Sequence, residues 1–407
     1  ECFEIKDIST DSRSIKKDSF FIAIKGKNFD GNDYVEEAFK KGAVLALVDD
    51  ARFADTKNNR IIYVKNTIQA LAKISKNIIK NYDGKVIAIT GSNGKTTTTS
   101  IIASTLRDSS STIANFNNEI GLPLSIFNSS PKSKYLVYEI GASKFNDINY
   151  LSDILKPDIG VITNIGLSHL ESLKNKQGVL KVKSEIINNI KKNGFLIIPD
   201  DDKDHLQHWK NIRSDIKLLT FGLKKSSDFH PLEPSLKTNG LYFLVKSIHL
   251  EKIIKINSKL EGNHNILNIL ASCAVHYCLS QDINEFAKKL KSLIFKNSRL
   301  TKIKWIKNSI LIDDTYNANP DSARKSIDLL SNHDNKTYLI LGDMLELGNH
   351  QEKYHKEIGQ YAKLKGVDVF LGFGNLAKHA VDGFGNNGIF FETEDELKNY
   401  LKQNISK

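Results

Sequence analysis

The 407-residue chain reads as a three-domain α/β protein. A small N-terminal α/β domain is expected over 1–82. A central parallel-sheet domain of the phosphate-loop ATPase type, with an antiparallel flank, follows over 83–297, and a C-terminal Rossmann-like domain over 298–407. Three observations predict this. Short apolar runs rich in Val and Ile alternate with helix-period segments, the pattern of βαβ units. One such unit, Lys85 to Thr99, carries a glycine loop between strand and helix. Between 216 and 260 strand-like segments follow one another without helices, and from about 298 the alternation restarts.

In the first domain Asp11-Ser12-Arg13-Ser14 reads as a turn and Ser19 to Ile24 as a strand. A helix from Tyr34 should stop near Gly42, where a C-cap glycine belongs. Strands at Val44–Val48 and Ile61–Val64 and a helix over Thr67–Asn81 complete the unit. In the second domain Lys134–Glu139 is a strand with a carboxylate at its C-terminal end. The strand Asp158–Thr163 leads to Asn164 and His169, and Phe195–Asp200 is another buried strand. Lys183 opens a helix in this reading, as an ordinary surface lysine. Leu218–Phe221, Leu241–Val245 and Ile253–Ile256 form the antiparallel flank. The third domain shows Ser309–Asp314, Thr337–Met344, Val367–Gly372 and Gly388–Phe391 as strands of a parallel sheet, with Asp321 as a helix cap.

Composition excludes several function classes. Hydrophobic residues make up 40% and charged residues 26%, as in a globular chain, and the net charge is +11. The lysines are scattered in pairs such as Lys16-Lys17, Lys40-Lys41 and Lys191-Lys192, whereas a nucleic-acid footprint needs clustering on one face. No nucleic-acid partner is expected. No apolar run approaches the length of a membrane span. Three cysteines make no disulfide framework in a chain of this length, which with the absent span makes cytoplasm the expected location.

The chemistry concentrates at Thr90-Gly91-Ser92-Asn93-Gly94-Lys95-Thr96-Thr97. A strand, a glycine loop and a helix N-terminus make a phosphate cradle, because backbone N–H groups and the positive helix end face an anion. Lys95 would reach the outer phosphates and the Thr96 hydroxyl would sit on Mg²⁺. The loop is two residues tighter than the common Gly-x-x-x-x-Gly-Lys-Thr pattern, since Ile89 stands where the first glycine belongs. Parallel sheets bind ligands beyond the carboxyl ends of their strands. Glu139 and His169 therefore fall on the same edge as the loop. Asn115, Asn117 and Asn118 form a loop dense in amides, and Asn268 lies one helical turn from His264 and Asn265.

Taken in order, the glycine loop, Asn115 to Gly121, Glu139-Ile140-Gly141, Thr163 to Gly166, Lys183-Ser184-Glu185, Gly262-Asn263-His264-Asn265, Asp313 to Ser322 and Gly342 to Gly348 resemble the Mur ligases of peptidoglycan synthesis. The tight loop is the version that family uses. Tyr316-Asn317-Ala318-Asn319-Pro320 and Gly342 to Gly348 point to its dipeptide-adding branch, while the Asp-Asn-Pro-Arg signature of the third-amino-acid branch is absent. Two departures, Ala114 and Ser184 where glycine is frequent, remove no reacting group.

The resemblance implies an ATP-dependent, ADP-forming ligase that joins D-alanyl-D-alanine to UDP-N-acetylmuramoyl-tripeptide through an acyl phosphate. It implies ATP and two Mg²⁺ ions as cofactors, and a monomer is expected. By matching position, Lys95, Glu139, His169 and Lys183 would be catalytic. Thr96 and Glu139 would hold one metal, with His169 and a carbamylated Lys183 on the second. Gly91, Ser92, Asn93, Gly94, Lys95, Thr96, Thr97, Asn268, Arg299 and Asp314 would bind the nucleotide. Ser12 and Arg13 would serve the uridine end of the substrate, Asn115, Asn117 and Asn118 its sugar-peptide, and Tyr316, Asn317 and Asn319 the dipeptide. The alternatives are the third-amino-acid ligase, another amide ligase such as a folylpolyglutamate synthetase relative, and a nucleotide-binding scaffold without catalysis.

Overall fold

The computed structural model describes residues 4–210, 213–237, 240–293, 301–333 and 335–405. Its first sheet is parallel, in the order β1 (Asp7–Ser9), β2 (Ser19–Ile22), β3 (Ala43–Val48), β4 (Ile61–Tyr63). Alternation along β2 explains its two cores: Phe20 and Ile22 pack with Leu47 and Leu71, whereas Phe21 joins Val35 and Ala38 on the opposite face. The helix Val35–Lys41 ends at Gly42 in the left-handed region, φ 116°, a conformation that glycine adopts without a Cβ penalty. The amphipathic helix Thr67–Lys80 then carries Ala72 and Ile79 into the core of the central domain.

The central sheet has nine strands in the order β13-β12-β11-β10-β9-β8-β5-β7-β6. They are β5 (Lys85–Thr90), β6 (Ser109–Ser111), β7 (Tyr135–Glu139), β8 (Ile159–Ile162), β9 (Phe195–Pro199), β10 (Lys217–Phe221), β11 (Phe229–Lys237), β12 (Gly240–Ser247) and β13 (Ile254–Ser258). On β5, Val86 and Ala88 face one core cluster and Ile87 and Ile89 the other. A strand buried on both faces is why this run is continuously apolar. After β7 the chain crosses to β8 on the other side of β5, so strand order reverses there, and the crevice beyond these carboxyl ends is the expected ligand position.

The pairing corrects the expected antiparallel flank in two ways. β10 runs parallel to β9, and only β11-β12-β13 are antiparallel, extending the same sheet. The length and apolarity of a short strand carry no direction, so β10 read like its neighbours. Lys183 is also corrected: it lies at the end of the helix Lys176–Ser184, with 1% exposure.

In the third unit β14 (Thr301–Lys304) and β15 (Ile310–Asp313) form an antiparallel pair of their own. The parallel sheet holds only β16 (Tyr338–Leu341), β17 (Val369–Phe373) and β18 (Gly388–Phe391). The strand ending in Asp313 is therefore outside that sheet. Asn319, not Asp321, caps the helix Pro320–Leu330, in a reciprocal arrangement with Ser322. Asp321 instead accepts a hydrogen bond from Leu167 N–H at 2.7 Å, across to the central domain. One buried cluster continues from Leu170 and Leu173 to Met344 and Leu347, so the second and third units share apolar surface.

Candidate active site

The glycine loop leaves β5 with Gly91 at φ 146° and Gly94 at φ 80°. A Cβ at Gly91 would stand 1.9 Å from Thr163 Oγ1, and one at Gly94 2.4 Å from Asn268 Oδ1. The loop is braced by the segment after β8. Asn93 N–H donates to Asn164 Oδ1 at 2.9 Å, Thr163 Oγ1 to Asn93 O at 2.6 Å, and Gly166 N–H to Ser92 Oγ at 2.9 Å. The helix Lys95–Thr105 starts with no side-chain cap, which leaves its first N–H groups directed at the cradle. Lys95 Nζ folds back over the loop onto Gly91 O at 2.7 Å and Ser92 O at 3.2 Å.

Thr96 Oγ1 donates to Glu139 Oε2 at 2.7 Å, and Asn117 Nδ2 to Glu139 Oε1 at 2.7 Å. Glu139 is 4% exposed. A buried carboxylate beside a hydroxyl at a phosphate cradle is the hard-oxygen donor set that suits Mg²⁺. Among the described residues no three His, Cys, Asp or Glu side chains are gathered to hold a metal by themselves.

Lys183 is buried within electrostatic reach of this group. Burial pushes its ammonium from 10.5 down to about 7, and Lys95 adds to the fall while Glu139 opposes it. His169 is held at φ 53°. Its Nδ1 stands 2.5 Å from Glu346 Oε2 of the C-terminal domain, off the line a ring N–H would need. Burial lowers its pKa, Glu346 opposes this, and Lys183 and Lys95 lower it further. The resemblance implied a metal beside His169; the structure places the Glu346 carboxylate there.

Asn268 Nδ2 donates to Asn265 Oδ1 at 2.8 Å. With Asn93, Gly94, Thr97, Asp314 and Asn317 it lines a cavity of about 80 Å³. Asp314 accepts from Ser326 Oγ at 2.5 Å. A larger cavity of about 530 Å³ opens beyond His264 and Lys325. Asn319 Nδ2 donates to Asn93 Oδ1 at 2.9 Å, tying the third unit to the loop. Tyr316 is 61% exposed. Asn118 Oδ1 accepts from Gly121 N–H at 2.8 Å, a turn-forming bond, and Asn115 is exposed. Ser12 and Arg13 keep their side-chain contacts in the first domain: Ser12 reaches Glu37 at 3.4 Å, and Arg13 forms a two-pronged pair with Asp11. Arg299 lies outside the described residues.

Sequence reasoning missed three contributors. Lys325 lines both cavities, its pKa lowered by burial while Asp321 and Asp201 oppose the fall. Its spacing from Asp321 along a helix was a visible cue. Thr112, whose Oγ1 accepts from Glu139 N–H at 2.7 Å, carried no cue, and Glu346 was visible only as part of the Gly342 to Gly348 motif, because its contact with His169 joins positions distant in sequence.

Three family models match successive parts of the chain. They are the Mur ligase family catalytic domain over 4–78, the Mur ligase middle domain over 89–276, and the Mur ligase glutamate ligase domain over 298–406. The chain belongs to the Mur ligase family and is a ligase of that family. It is 34% identical to the UDP-N-acetylmuramoyl-tripeptide–D-alanyl-D-alanine ligase of Bacillus subtilis, covering 99% of this chain and 88% of the relative. The ligase of that name from Escherichia coli is 30% identical over 98% and 88%. A crystal structure of MurF from Acinetobacter baumannii superposes with TM-score 0.88 at 28% identity, covering 98% of this chain and 88% of the other. MurF from Thermotoga maritima, in complex with ADP, gives 0.87 at 27% identity, covering 99% and 92%.

Proposed function

We propose that this chain is an ATP-dependent, ADP-forming ligase joining D-alanyl-D-alanine to UDP-N-acetylmuramoyl-tripeptide. The observation that carries the reading is the Thr96–Glu139 pair beside the glycine loop, with a buried Lys183 that feels the charge of Glu139. Full-length likeness to relatives named for this reaction, one solved with ADP, points the same way. The segments 1–82, 83–297 and 298–407 are assigned to the UDP-substrate, to ATP, and to closure over the site. The chain is read as a monomeric enzyme of the cytoplasm.

The tripeptide's terminal carboxylate attacks the γ-phosphorus, ADP leaves, and the dipeptide amine then displaces phosphate from the acyl carbon. Two anions must meet in the first step, so Lys95 moves from its loop carbonyls to the outer phosphates. Thr96 and Glu139 would hold one Mg²⁺, and His169 with Lys183 a second. Bound there, the ions neutralise charge on the transferring phosphoryl group. What supports Lys183 as a carbamylation site is its lowered basicity. A neutral amine adds CO₂, loses one proton, and becomes an anion suited to a cation. Asn268, Asp314 and Arg299 are assigned to the nucleotide, Asn117 and its neighbours Asn115 and Asn118 to the sugar-peptide, Ser12 and Arg13 to the uridine end, and Tyr316, Asn317 and Asn319 to the dipeptide.

Phosphate release from ATP tests this. Release is expected with UDP-N-acetylmuramoyl-tripeptide plus D-Ala-D-Ala. Release instead with the dipeptide-level precursor plus a diamino acid would transfer the chain to the neighbouring ligase, and release with neither would leave a scaffold.

A further inference from the structure

The C-terminal domain reaches the site through one segment that the chemistry above does not use. Residues 343–348 are anchored at their start within their own domain. Asp343 Oδ1 accepts from Leu376 and Ala377 N–H at 2.8 and 2.9 Å, and Met344 N–H donates to His355 Nε2 at 2.9 Å. Met344 is fully buried and Leu347 is 2% exposed. From this base Glu346 projects at φ 61°, and Gly348 turns at φ 60° against Glu171, where a Cβ would lie 3.2 Å from Glu171 Cα. Glu171 N–H donates to Glu346 O at 3.0 Å, and the Glu346 carboxylate stands at His169.

Both partners of that contact, His169 and Glu346, are non-glycine residues in the left-handed region. The left-handed region crowds Cβ against the backbone of such residues, and local strain of this kind collects at functional sites. Metal-binding histidines regularly donate the other ring N–H to a carboxylate, which sets tautomer and ring orientation.

We propose that Glu346 is a positioning residue for His169, supplied by the C-terminal domain, so that the metal site is complete only when that domain is docked. Nδ1 faces Glu346, and Nε2 is the nitrogen left for the cation, on a ring that feels Lys95 and Lys183. The proposal rests on the ligase reading for its metal. It adds a physical link between docking and chemistry: the same segment that seats on Glu171 also orients the ligand.

The test measures Mn²⁺ binding to the full chain with a non-hydrolysable ATP analogue, following free Mn²⁺ by electron paramagnetic resonance. Glu346→Ala should weaken one bound Mn²⁺ by about 10- to 100-fold. Glu346→Gln should recover much of this, because its amide oxygen keeps an acceptor of the same size facing Nδ1. In a His169→Ala background, Glu346→Ala should change Mn²⁺ affinity no further. Unchanged urea midpoints would show that the variants fold. Wild-type affinity in Glu346→Ala would overturn the proposal, and so would an equal loss in the His169→Ala background, which would mark a docking contact only. A wild-type chain with no nucleotide-dependent Mn²⁺ binding would overturn the ligase reading and this proposal together. Normal wild-type binding insensitive to Glu346 would overturn this proposal alone.

Discussion

Replacing Lys183 by methionine keeps an unbranched side chain of similar length while removing a buried cation. Lys183 is 1% exposed, and its pKa falls from 10.5 to about 7, through burial first and Lys95 second. That fall corresponds to on the order of 5 kcal/mol of folding free energy withheld while the group is protonated. Replacements of buried ionic groups by apolar ones of similar volume gain about 1–4 kcal/mol in practice, so at least about 2 kcal/mol is expected here. The folded pKa lies below the unfolded one. Below pH 7 both states carry the proton and the full penalty acts; between pH 7 and 10.5 the unfolded chain alone is protonated, and the penalty shrinks as pH rises. Urea unfolding of both proteins at several pH values from about 6 to about 9.5, in CO₂-depleted buffer, reads this directly. The methionine variant should be the more stable at the acid end, with an advantage that declines as pH rises, and should release no phosphate. A variant less stable than wild type at pH 6, or an advantage that grows with pH, would refute the reasoning.

Glu139→Gln keeps the size of the side chain but removes the charge beside Thr96. Phosphate release should fall by about a hundredfold or more, since a metal's charge stabilisation is worth several kcal/mol, with circular dichroism unchanged; a loss under tenfold would remove Glu139 from metal binding. Gly94→Ala places a methyl against Asn268 in a left-handed turn, so the affinity for ADP, measured calorimetrically, should drop by more than tenfold. His264 and His276 are pushed by burial from 6.5 to about 4. The unfolded chain then binds more protons between these values, and stability should fall as pH drops from 6.5 towards 4; His276→Gln should flatten part of that slope, and a flat wild-type profile would contradict the assignment. Asn319→Ala should cost about 1 kcal/mol as a lost helix cap, and a double-mutant cycle with Asn93→Ala should show coupling above about 0.5 kcal/mol in nucleotide affinity if their bond carries docking.

Local sequence sufficed wherever a segment's own chemistry dictates its conformation. The glycine loop was legible because Gly91 and Gly94 take backbone positions that other residues resist. Its neighbours Glu139 and His169 were legible because one ends a buried strand and the other follows one, and parallel strands present their carboxyl ends to one edge. The same logic failed for β10, since strand direction is settled by partners, and for Asp321, where Asn319 two residues earlier forms the better cap and frees Asp321 for Leu167. Composition could not separate Lys183 from a surface lysine, because burial belongs to the packed helix and not to the residue type.

The phosphate cradle, the order of the α/β units and the family were thus determined by the sequence itself, through backbone preference and hydrophobic period acting over a few residues. The tertiary structure decided the state of each group in the cradle. It buried Lys183 so that its basicity falls, turned Lys95 onto its own loop, and brought Glu346 to His169 across 177 positions of chain. Desolvation and charge depend on what lies within a few ångströms in space, and only the fold chooses those neighbours.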